Sequence, residues 1–505
     1  MSSTFFGLSV AASGLSASQR ALNTVGHNIS NMETEGYVRQ QVVQVDQSYL
    51  KSGQYQVGLG TSVEAVRQMR SIFLDNMYRE AQSALSYWQT KAGVLEDVEA
   101  VVNDFSDNEG IQTAMKEFFA AWEDVANDPS SDTARASLLG YADSLTAMFN
   151  LVDEQLDQIQ ENLDTQIQSM TTDINTIAGQ IAGLNKEIAM AKINGDNAND
   201  YRDQLNSLLA TLSEYVDTRV SINSNGMYNV SIGGVSLVNS TQANLLTCQT
   251  KSSNGTFTTV FRKDTQLELK LKDGMLLGLI EARGEVNGEV VSTANGSVVE
   301  SGTTEADVDA DAANCNFTGD SVNLITEIRA GLNNLFNLMA RKINGIHSSG
   351  EGLDGSTGTD FFVKLDESLP FEIGNIQVNS KLQDTDLIAA SSVGGSNDGA
   401  IASEIMDFAD SDYFTFDGLT MNISDYYAEL IGWIGTQGEK ADSNVSNQEA
   451  LVEQAQSNWQ SLSSVSMDEE LTNLLKYQHA YNASARVMST LDGMIETLIQ
   501  QMAGR

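Results

Sequence analysis

The chain has 505 residues, which is enough for two or more domains, each with its own buried core. It carries 28 Lys and Arg against 68 Asp and Glu, and the formal net charge of −40 argues against nucleic acid and anionic membrane surfaces as partners, because like charges repel. Only two cysteines and two prolines occur, so a disulfide framework is excluded and long helices are favoured.

The first thirty residues are predicted to form a helix with a coiled-coil stripe. Its members recur every seven positions, as in the a and d positions of a heptad repeat: Leu8, Leu15, Leu22 and Ile29, with Ala11, Ser18 and Val25 three positions on. An isolated helix leaves such a stripe uncovered. We therefore expect this helix to pair with another one.

Residues 67–217 are predicted to form a helical rod domain. From Leu145 to Ile188 the apolar residues follow one another in steps of three and four, which predicts one long helix. Two steps of four occur in succession at Ile159, Leu163 and Ile167, a stutter that locally unwinds a left-handed supercoil. Residues 320–348 and 424–464 show helical spacing again, and we expect them to complete the rod.

Residues 218–319 are predicted to form a β-rich domain inserted into the rod. Apolar residues alternate with polar ones, and the pairs Asn225-Gly226 and Gly233-Gly234 tolerate the positive φ angles of tight hairpin turns. Residues 286–320, which are rich in small and polar residues, are expected to form strands with long loops or a surface insertion. Residues 349–423 are expected to form a second β-rich part.

Residues 465–505 are predicted to form a C-terminal coiled-coil segment. Its stripe again has seven-residue spacing: Leu474, Tyr481, Met488 and Ile495, with Leu491 and Leu498 in the second register. The predicted fold class is mainly α with inserted β domains. We expect a long antiparallel helical rod in which residues 1–66, an N-terminal polymerisation segment, pair with residues 465–505 as a coiled coil.

No sequence pattern is typical of catalysis or of a metal site. The three histidines lie far apart and lack the ligand spacing of a zinc site: His27, His347 and His479. An acidic triplet begins like an EF-hand loop: Asp307, Asp309 and Asp311. However, Ala312 stands where the turn needs glycine, and Thr318 where a bidentate glutamate belongs, so we expect a solvated loop. We expect no catalytic residue, metal or cofactor, although paired carboxylates of a hydrolase would show only by their separation in space.

Both ends of the chain resemble the flagellar rod, hook and hook-associated protein family. The N-terminal match lies within residues 13–40 and includes five motif residues: Asn28, Asn31, Gly36, Tyr37 and Arg39. The C-terminal match covers residues 465–474 and 478–487. Rod, hook and hook-associated members share these signatures, so the ends indicate the family and not the member.

The middle of the chain resembles the hook-associated members. The resemblance is carried by a helical motif, Arg202, Asp203 and Gln204, and by the hairpin that follows it. Residues 118–122, 278–283 and 358–362 agree with it, whereas residues 286–320 and 380–415 match no family pattern.

The resemblance implies a secreted structural subunit at the hook–filament junction. Members are exported unfolded by the flagellar type III apparatus, and their terminal segments become helices on assembly into a ring. The implied partners are the hook protein, a second junction protein (hook-associated protein 3) with the filament, and a cytoplasmic export chaperone on the C-terminal helix. In agreement, we expect no cleaved signal and no membrane insertion, because no apolar run approaches the ~20 residues that a span needs.

Three alternatives stay open. A hook or rod subunit would share both ends but lack the helix of Arg202, Asp203 and Gln204. The unmatched β regions are also compatible with a wall hydrolase carried on a flagellar scaffold. Finally, the outer domains are compatible with an adhesin.

Overall fold

The structure is a computed structural model that describes residues 3–34, 36–47, 49–52, 55–102, 110–250, 257–284, 298, 300–301, 304–319, 323–395 and 397–503. Helices dominate, and the β-sheets are small and separate from one another. Within these described ranges, no helix is both long enough and apolar enough to cross a membrane.

The N-terminal segment combines one helix with four strands. Helix α1 (Ser3–Ser30) precedes β1 (Gln40–Asp46), β2 (Tyr49–Ser52), β3 (Tyr55–Gly58) and β4 (Thr61–Gln68). β1 pairs antiparallel with β4, and β2 pairs antiparallel with β3, so the two pairs are nested. These strands were not predicted from the sequence.

Four helices follow: α2 (Ile72–Val102), α3 (Ile111–Asn127), α4 (Asp132–Ile193) and α5 (Asn199–Tyr215). The 62 residues of α4 contain the whole predicted stripe, which confirms the single long helix. At the stutter Ile159 is only half-buried, and the neighbouring Gln160 is buried instead. Its amide donates a hydrogen bond to the backbone carbonyl of Arg283 at 2.7 Å. The irregular spacing therefore places a hydrogen-bonded amide where a regular stripe would place an apolar side chain.

The two predicted hairpins are confirmed. Strands β5 (Thr218–Ile222), β6 (Tyr228–Ile232), β7 (Val235–Asn239) and β8 (Gln242–Ala243) form one antiparallel sheet in chain order. Gly226, Gly233 and Gly234 have φ angles of 80°, 51° and 77°, as the two hairpin turns require. A separate pair is formed by β9 (Leu246–Thr250) and β10 (Thr258–Arg262).

The rest of the predicted inserted domain contains helices α6 (Met275–Arg283) and α7 (Glu305–Asn314). The expectation of strands and loops in residues 286–320 is wrong for α7, and residues 285–297, 299, 302–303 and 320 lie outside the described residues. The acidic triplet lies on α7 and not in a solvated loop. Thr304 caps this helix, and Asp311 forms an ion pair with Arg341 at 2.8 Å. The capping and the ion pair compensate for the few apolar residues of α7.

Helical content is also high after residue 320. Helix α8 (Leu324–Ser349) was predicted, and α9 (Ala400–Ala409) was not. Among the residues described there, the strands form two short pairs: β11 (Phe362–Lys364) with β12 (Ile376–Val378), and β13 (Phe414–Phe416) with β14 (Leu419–Met421). The last two helices, α10 (Ile423–Ser463) and α11 (Met467–Ala503), agree with the predicted return to helix near residue 424. α10 packs along α2 and brings α11 back to the N-terminal segment.

One continuous apolar core joins the central elements. Residues 118–122 and 358–362, two segments that resemble the family, meet in this core. The ring centroid of Phe361 lies 5.9 Å from that of Phe118 and 5.2 Å from that of Trp122. Nearby, the buried guanidinium of Arg135 donates hydrogen bonds to the carbonyls of Pro129 at 2.8 Å and Ile388 at 2.6 Å. This core fixes the helices against which the chain ends are held.

Candidate assembly interface

The first and last helices of the chain lie side by side and run in opposite directions. Gly7 lies beside Leu491, Gly14 lies beside Ser484, and Asn28 donates a hydrogen bond to Glu470. Each advance of seven or fourteen residues along α1 is matched by an equal step back along α11. One register therefore holds from the start of α1 to its end.

Small residues of α1 allow the two helices to approach closely. A Cβ atom on Gly7 would lie 3.1 Å from Cδ1 of Leu491, and one on Gly14 would lie 3.0 Å from Oγ of Ser484. Seven residues further on, Ala21 is 0% exposed. The separation of two packed helices is set by the side chains at their contact, so this series keeps the backbones close. It was not predicted, although its seven-residue spacing is visible in the sequence.

The predicted stripes lie on these two helices and are mostly half-buried. On α1, Leu8, Leu15, Leu22 and Ile29 are half-buried and Val25 is buried. On α11, Leu474, Tyr481, Met488, Leu491 and Ile495 are half-buried. Leu498 is different, because 49% of it is exposed. In the common register Ile495 lies opposite Ser3, where α1 begins, so no described residue of α1 faces Leu498.

Helix α11 also exposes apolar side chains that α1 does not cover. These residues are between 45 and 60% exposed: Leu471, Leu475, Val487, Met494, Leu498 and Ile499. Concentrated exposed apolar surface on one helix is typical of an interaction site, whereas isolated exposed apolar residues are common on any protein.

Asn28 is the centre of a buried polar cluster at the end of this helix pair. Its Oδ1 accepts hydrogen bonds from the backbone N–H of Gln40 at 2.9 Å and the hydroxyl of Tyr37 at 2.7 Å. Its Nδ2 donates to the carbonyl of Gln40 at 2.9 Å and to Glu470 at 3.1 Å. The full hydrogen-bonding capacity of this amide is thus used to join α1 to Tyr37, to the first residue of β1 and to α11.

Arg39 connects the same segment to both C-terminal helices. Its guanidinium forms ion pairs with Glu470 at 2.8 Å and Glu469 at 2.7 Å. Its backbone N–H donates to the carbonyl of Ser463, the last residue of α10, at 3.0 Å. Glu470 is only 1% exposed, so these donors replace the water that would otherwise solvate its carboxyl group. Glu470 lies in the C-terminal signature, but its role as partner of Asn28 and Arg39 was not predicted.

The other N-terminal motif residues shape the turn after α1. The Asn31 side chain donates to the carbonyl of His27 at 2.9 Å, and Gly36 has a φ of 76°, a conformation that favours glycine. Burial, together with the negative charges of Asp203, Asp200 and Glu470, raises the pKa of Tyr37 above its ordinary value. Its hydroxyl therefore stays a neutral hydrogen-bond donor.

The three-residue motif of α5 has three different environments. Arg202 donates to the carbonyls of Asn197 at 2.9 Å and Gly226 at 3.3 Å. Asp203 accepts hydrogen bonds from Gln68 at 2.7 Å and from the backbone N–H of Val38, which ties α5 to the N-terminal segment. Gln204 is exposed in a groove of about 890 Å³ that is also lined by His27, Tyr37 and Gly183. The structure thus brings Asp203 to the Asn28 cluster but directs Arg202 towards the β5–β6 hairpin.

The described part of the chain contains no group of three or more His, Cys, Asp or Glu residues that could hold a metal ion. His347 lies in the core, where its Nε2 accepts a hydrogen bond from the backbone of Ala389 at 2.9 Å. Burial lowers the pKa of His347 to about 4. The imidazole of His347 is therefore a neutral group in the core.

Comparison with known proteins first identifies the class of the chain. Residues 8–37 match the family model of flagella basal body rod proteins, and residues 456–501 match the C-terminal model of flagellar basal body rod FlgEFG proteins. The two matches cover α1 from Leu8 onward and nearly all of α11. The chain is thus a structural subunit of the extracellular bacterial flagellum.

Residues 95–362, more than half of the chain, match the model of the flagellar hook-associated protein FlgK helical domain. The chain belongs to this family, whose place in the flagellum is the hook–filament junction.

Two relatives match the sequence of this chain over nearly its full length. The chain is 29% identical over 533 residues to flagellar hook-associated protein 1 of Bacillus subtilis, with 99% of each chain covered. It is 26% identical over 552 residues to flagellar hook-associated protein 1 of Salmonella typhimurium, covering 97% of this chain and 98% of the relative. The solved structure of the flagellar hook junction protein FlgK from Burkholderia pseudomallei matches with a TM-score of 0.60 and 16% identity, over 77% of this chain and 100% of that one. This last match shows a common fold.

Replacing Gly14 by leucine should force α1 and α11 apart, since the new side chain would overlap Ser484. Overpacking of this kind costs about 1–3 kcal/mol. Trypsin should therefore cut the purified Gly14→Leu chain at Arg20 and Arg486 about tenfold or more faster than the unchanged chain. Gly26→Leu is the matched control, because apart from its chain neighbours and the backbone of its own helix no atom lies within 4 Å of a Cβ on Gly26. Equal cleavage rates in the two variants would contradict the close contact.

Asp203 should make stability depend on pH. Burial and the neighbouring Asp200, opposed by Arg70 and by the hydrogen bonds, raise the pKa of Asp203 from 3.8 to about 7. Between pH 3.8 and about pH 7, Asp203 keeps its proton in the native chain and loses it in the unfolded chain. The protonated carboxyl group therefore contributes to the free energy of unfolding at low pH, and this contribution is lost as the pH rises through about 7. Relative to Asp203→Asn, the unchanged chain should lose roughly 1–2 kcal/mol between about pH 5 and pH 8, allowing for solvent screening.

Urea denaturation of both chains across this range measures the difference. Asp442→Asn, a change at an exposed residue of α10, serves as the control and should run parallel to the unchanged chain. If the stability of Asp203→Asn also runs parallel to that of the unchanged chain across this pH range, Asp203 is ionised in the native state and the prediction is wrong.

Proposed function

We propose that the chain links hook to filament by assembling into a ring through its paired terminal helices, α1 and α11. The observation that carries this proposal is the row of exposed apolar residues on α11, which remains uncovered after α1 has packed against it. Burial of such a surface against neighbouring copies supplies a driving force of about 25 cal/mol per Å² of apolar area. The helix pair is thus half of an interface that further copies complete.

The seven-residue register supports coiled-coil packing of the two helices. The partners of Gly7, Gly14 and Asn28 on α11 all fall in one antiparallel register, as interlocking heptads require. In this proposal residues 1–66 and 465–505 form the inner assembly segment. Residues 67–217, with 320–348 and 424–464, form a long antiparallel helical rod, and residues 218–319 and 349–423 lie further out.

The same exposed surface accounts for the proposed partners before and after assembly. Residues such as Leu475 and Met494, 55% exposed each, would promote aggregation of a free chain inside the cell. A cytoplasmic chaperone of the type III export system covers α11 until the chain is secreted unfolded. In the flagellum the ring contacts the hook protein on one side, and hook-associated protein 3 with the filament on the other. The role is architectural, and we expect no catalytic activity.

Deletion of the gene in its bacterium tests the position of the subunit. Cells should carry hooks without filaments and release flagellin into the medium, as seen by electron microscopy and by immunoblotting of the medium. Missing hooks would instead show a hook or rod subunit, and normal filaments would contradict the proposal.

A pair of matched substitutions tests the interface itself. Leu475→Asp should abolish filament attachment when the variant gene is returned to the deleted strain, because it places a charge in the proposed contact between copies. Leu419→Asp introduces the same change at a residue that is 69% exposed in the β13–β14 pair, and it should restore filaments. Both purified variants should unfold within about 0.5 kcal/mol of the unchanged chain. Normal filaments with Leu475→Asp would exclude α11 from the interface.

A further inference from the structure

Four arginines line one small pocket in a protein that is otherwise strongly acidic. The pocket has a volume of about 260 Å³ and lies between the end of β4, the start of α2, the start of α5 and the β5–β6 hairpin. We call it the arginine pocket: Arg67, Arg70, Arg79 and Arg202. The whole chain has only 28 Lys and Arg against 68 Asp and Glu, so this concentration of positive charge is against the trend of its composition.

Two of these arginines have their charge compensated within the chain. Arg70 forms an ion pair with Asp75 at 2.6 Å, and both side chains are largely buried. Arg67 lies 3.7 Å from Glu64, with 60 and 52% of the two side chains exposed. A surface pair of this kind contributes little and is readily exchanged for another partner.

Within the described residues, the other two arginines donate hydrogen bonds to neutral groups. Arg79, 3% exposed, donates to the side-chain oxygens of Asn76 and Asn206, both at 3.2 Å. Arg202 donates to two backbone carbonyls and lies over the ring of Tyr228 at 5.8 Å from its centroid. Across the described ranges of the chain, no carboxylate oxygen lies within 4.0 Å of either guanidinium.

Burial and the nearby positive charge of Arg70 lower the pKa of Arg79 to about 10, opposed by Asp75, so the group is still charged at neutral pH. The nearby carboxylate of Asp75 already pairs with Arg70, so the buried charge of Arg79 is only partly compensated. An anion that enters the pocket would reduce the cost of that buried charge.

The walls of the pocket indicate which anion fits. Ile72, Val220, Ile222 and the ring of Tyr228 line it beside the guanidinium groups. An apolar wall next to charged donors suits a carboxylate on a hydrocarbon stem, which forms paired hydrogen bonds with arginine. Inorganic phosphate or sulfate would leave the apolar wall without a contact.

We propose that the arginine pocket binds a glutamate side chain of a second copy of this chain. The inference rests on the proposed self-assembly and adds a specific polar contact to it. Copies with a net charge of −40 each repel one another, so a site that pairs an acidic side chain of one copy with a cationic pocket of the next favours a defined arrangement. The pocket is also continuous with the N-terminal segment of the interface, because Gln68 lines it and donates to Asp203.

Binding of glutarate, a soluble mimic of the glutamate side chain, tests the pocket in the purified chain. At constant ionic strength glutarate should raise the midpoint of thermal unfolding, and sulfate should raise it less. Arg202→Gln and Arg67→Gln should each weaken the glutarate effect about tenfold or more, since each removes a charge-assisted hydrogen bond. Arg219→Gln, at an exposed arginine of β5 outside the pocket, should leave it unchanged. No shift with glutarate, or an equal shift with sulfate, would overturn the proposal.

Charge reversal tests the contact between copies. Arg67→Glu should reduce filament attachment in the deleted strain while the variant is still secreted and folded, whereas Arg219→Glu should restore filaments. Arg67 is suited to this test because its side chain is 60% exposed and its replacement leaves no buried group unpaired. Full restoration by Arg67→Glu would refute the pocket as a contact and leave the terminal interface intact. Failure of the unchanged gene to restore filaments would refute the assembly role itself.

Discussion

The close antiparallel contact between α1 and α11 is the constraint on which the rest of the structure depends. Gly7 and Gly14 lie against Leu491 and Ser484, and with the buried Ala21 they keep the two backbones near each other. The two helices are hundreds of residues apart in sequence, yet the entropy of closing a loop grows only slowly with its length. The pairing of α10 with α2 covers most of the return path and delivers α11 to the N-terminal segment. Both ends of the chain are therefore available in one place, where neighbouring copies can meet them.

The buried polar cluster gives this contact its direction. Apolar stripes with seven-residue spacing could also pair with a shift of one heptad, whereas Asn28, Arg39 and Glu470 satisfy one another in a single arrangement. Asp203 then joins this cluster to α5, so the helix pair is fixed relative to the central helices. The apolar stripes thus stabilise the helix pair, whereas the polar cluster sets its register.

The elements predicted from the sequence are those whose signal is local. The stripe of α4 and the turns at Gly226 and Gly233 are read from neighbouring residues, and the structure confirms them. Helix α7 has few apolar residues and depends on Arg341, a residue of another helix, so its pattern resembled a loop. In β1 the apolar residues Val42 and Val43 are adjacent, so the strict alternation that indicates a strand is missing. The partners of the Asn28 cluster and of the arginine pocket come from distant segments, and only the fold shows their proximity.

The central claim is that α1 and α11 keep their register in the assembled junction, and a disulfide measures it directly. Cysteines at positions 7 and 491 (Gly7→Cys with Leu491→Cys) should form a bond within one chain in flagella that still carry filaments. Cysteines at positions 7 and 484 (Gly7→Cys with Ser484→Cys) are displaced by about 10 Å along α11 and should not. Mass spectrometry of isolated hook–filament junctions identifies the linked peptides. The account would be contradicted if both pairs formed disulfides to the same extent. It would also be contradicted if cysteines 7 and 491 were linked between different chains and never within one chain.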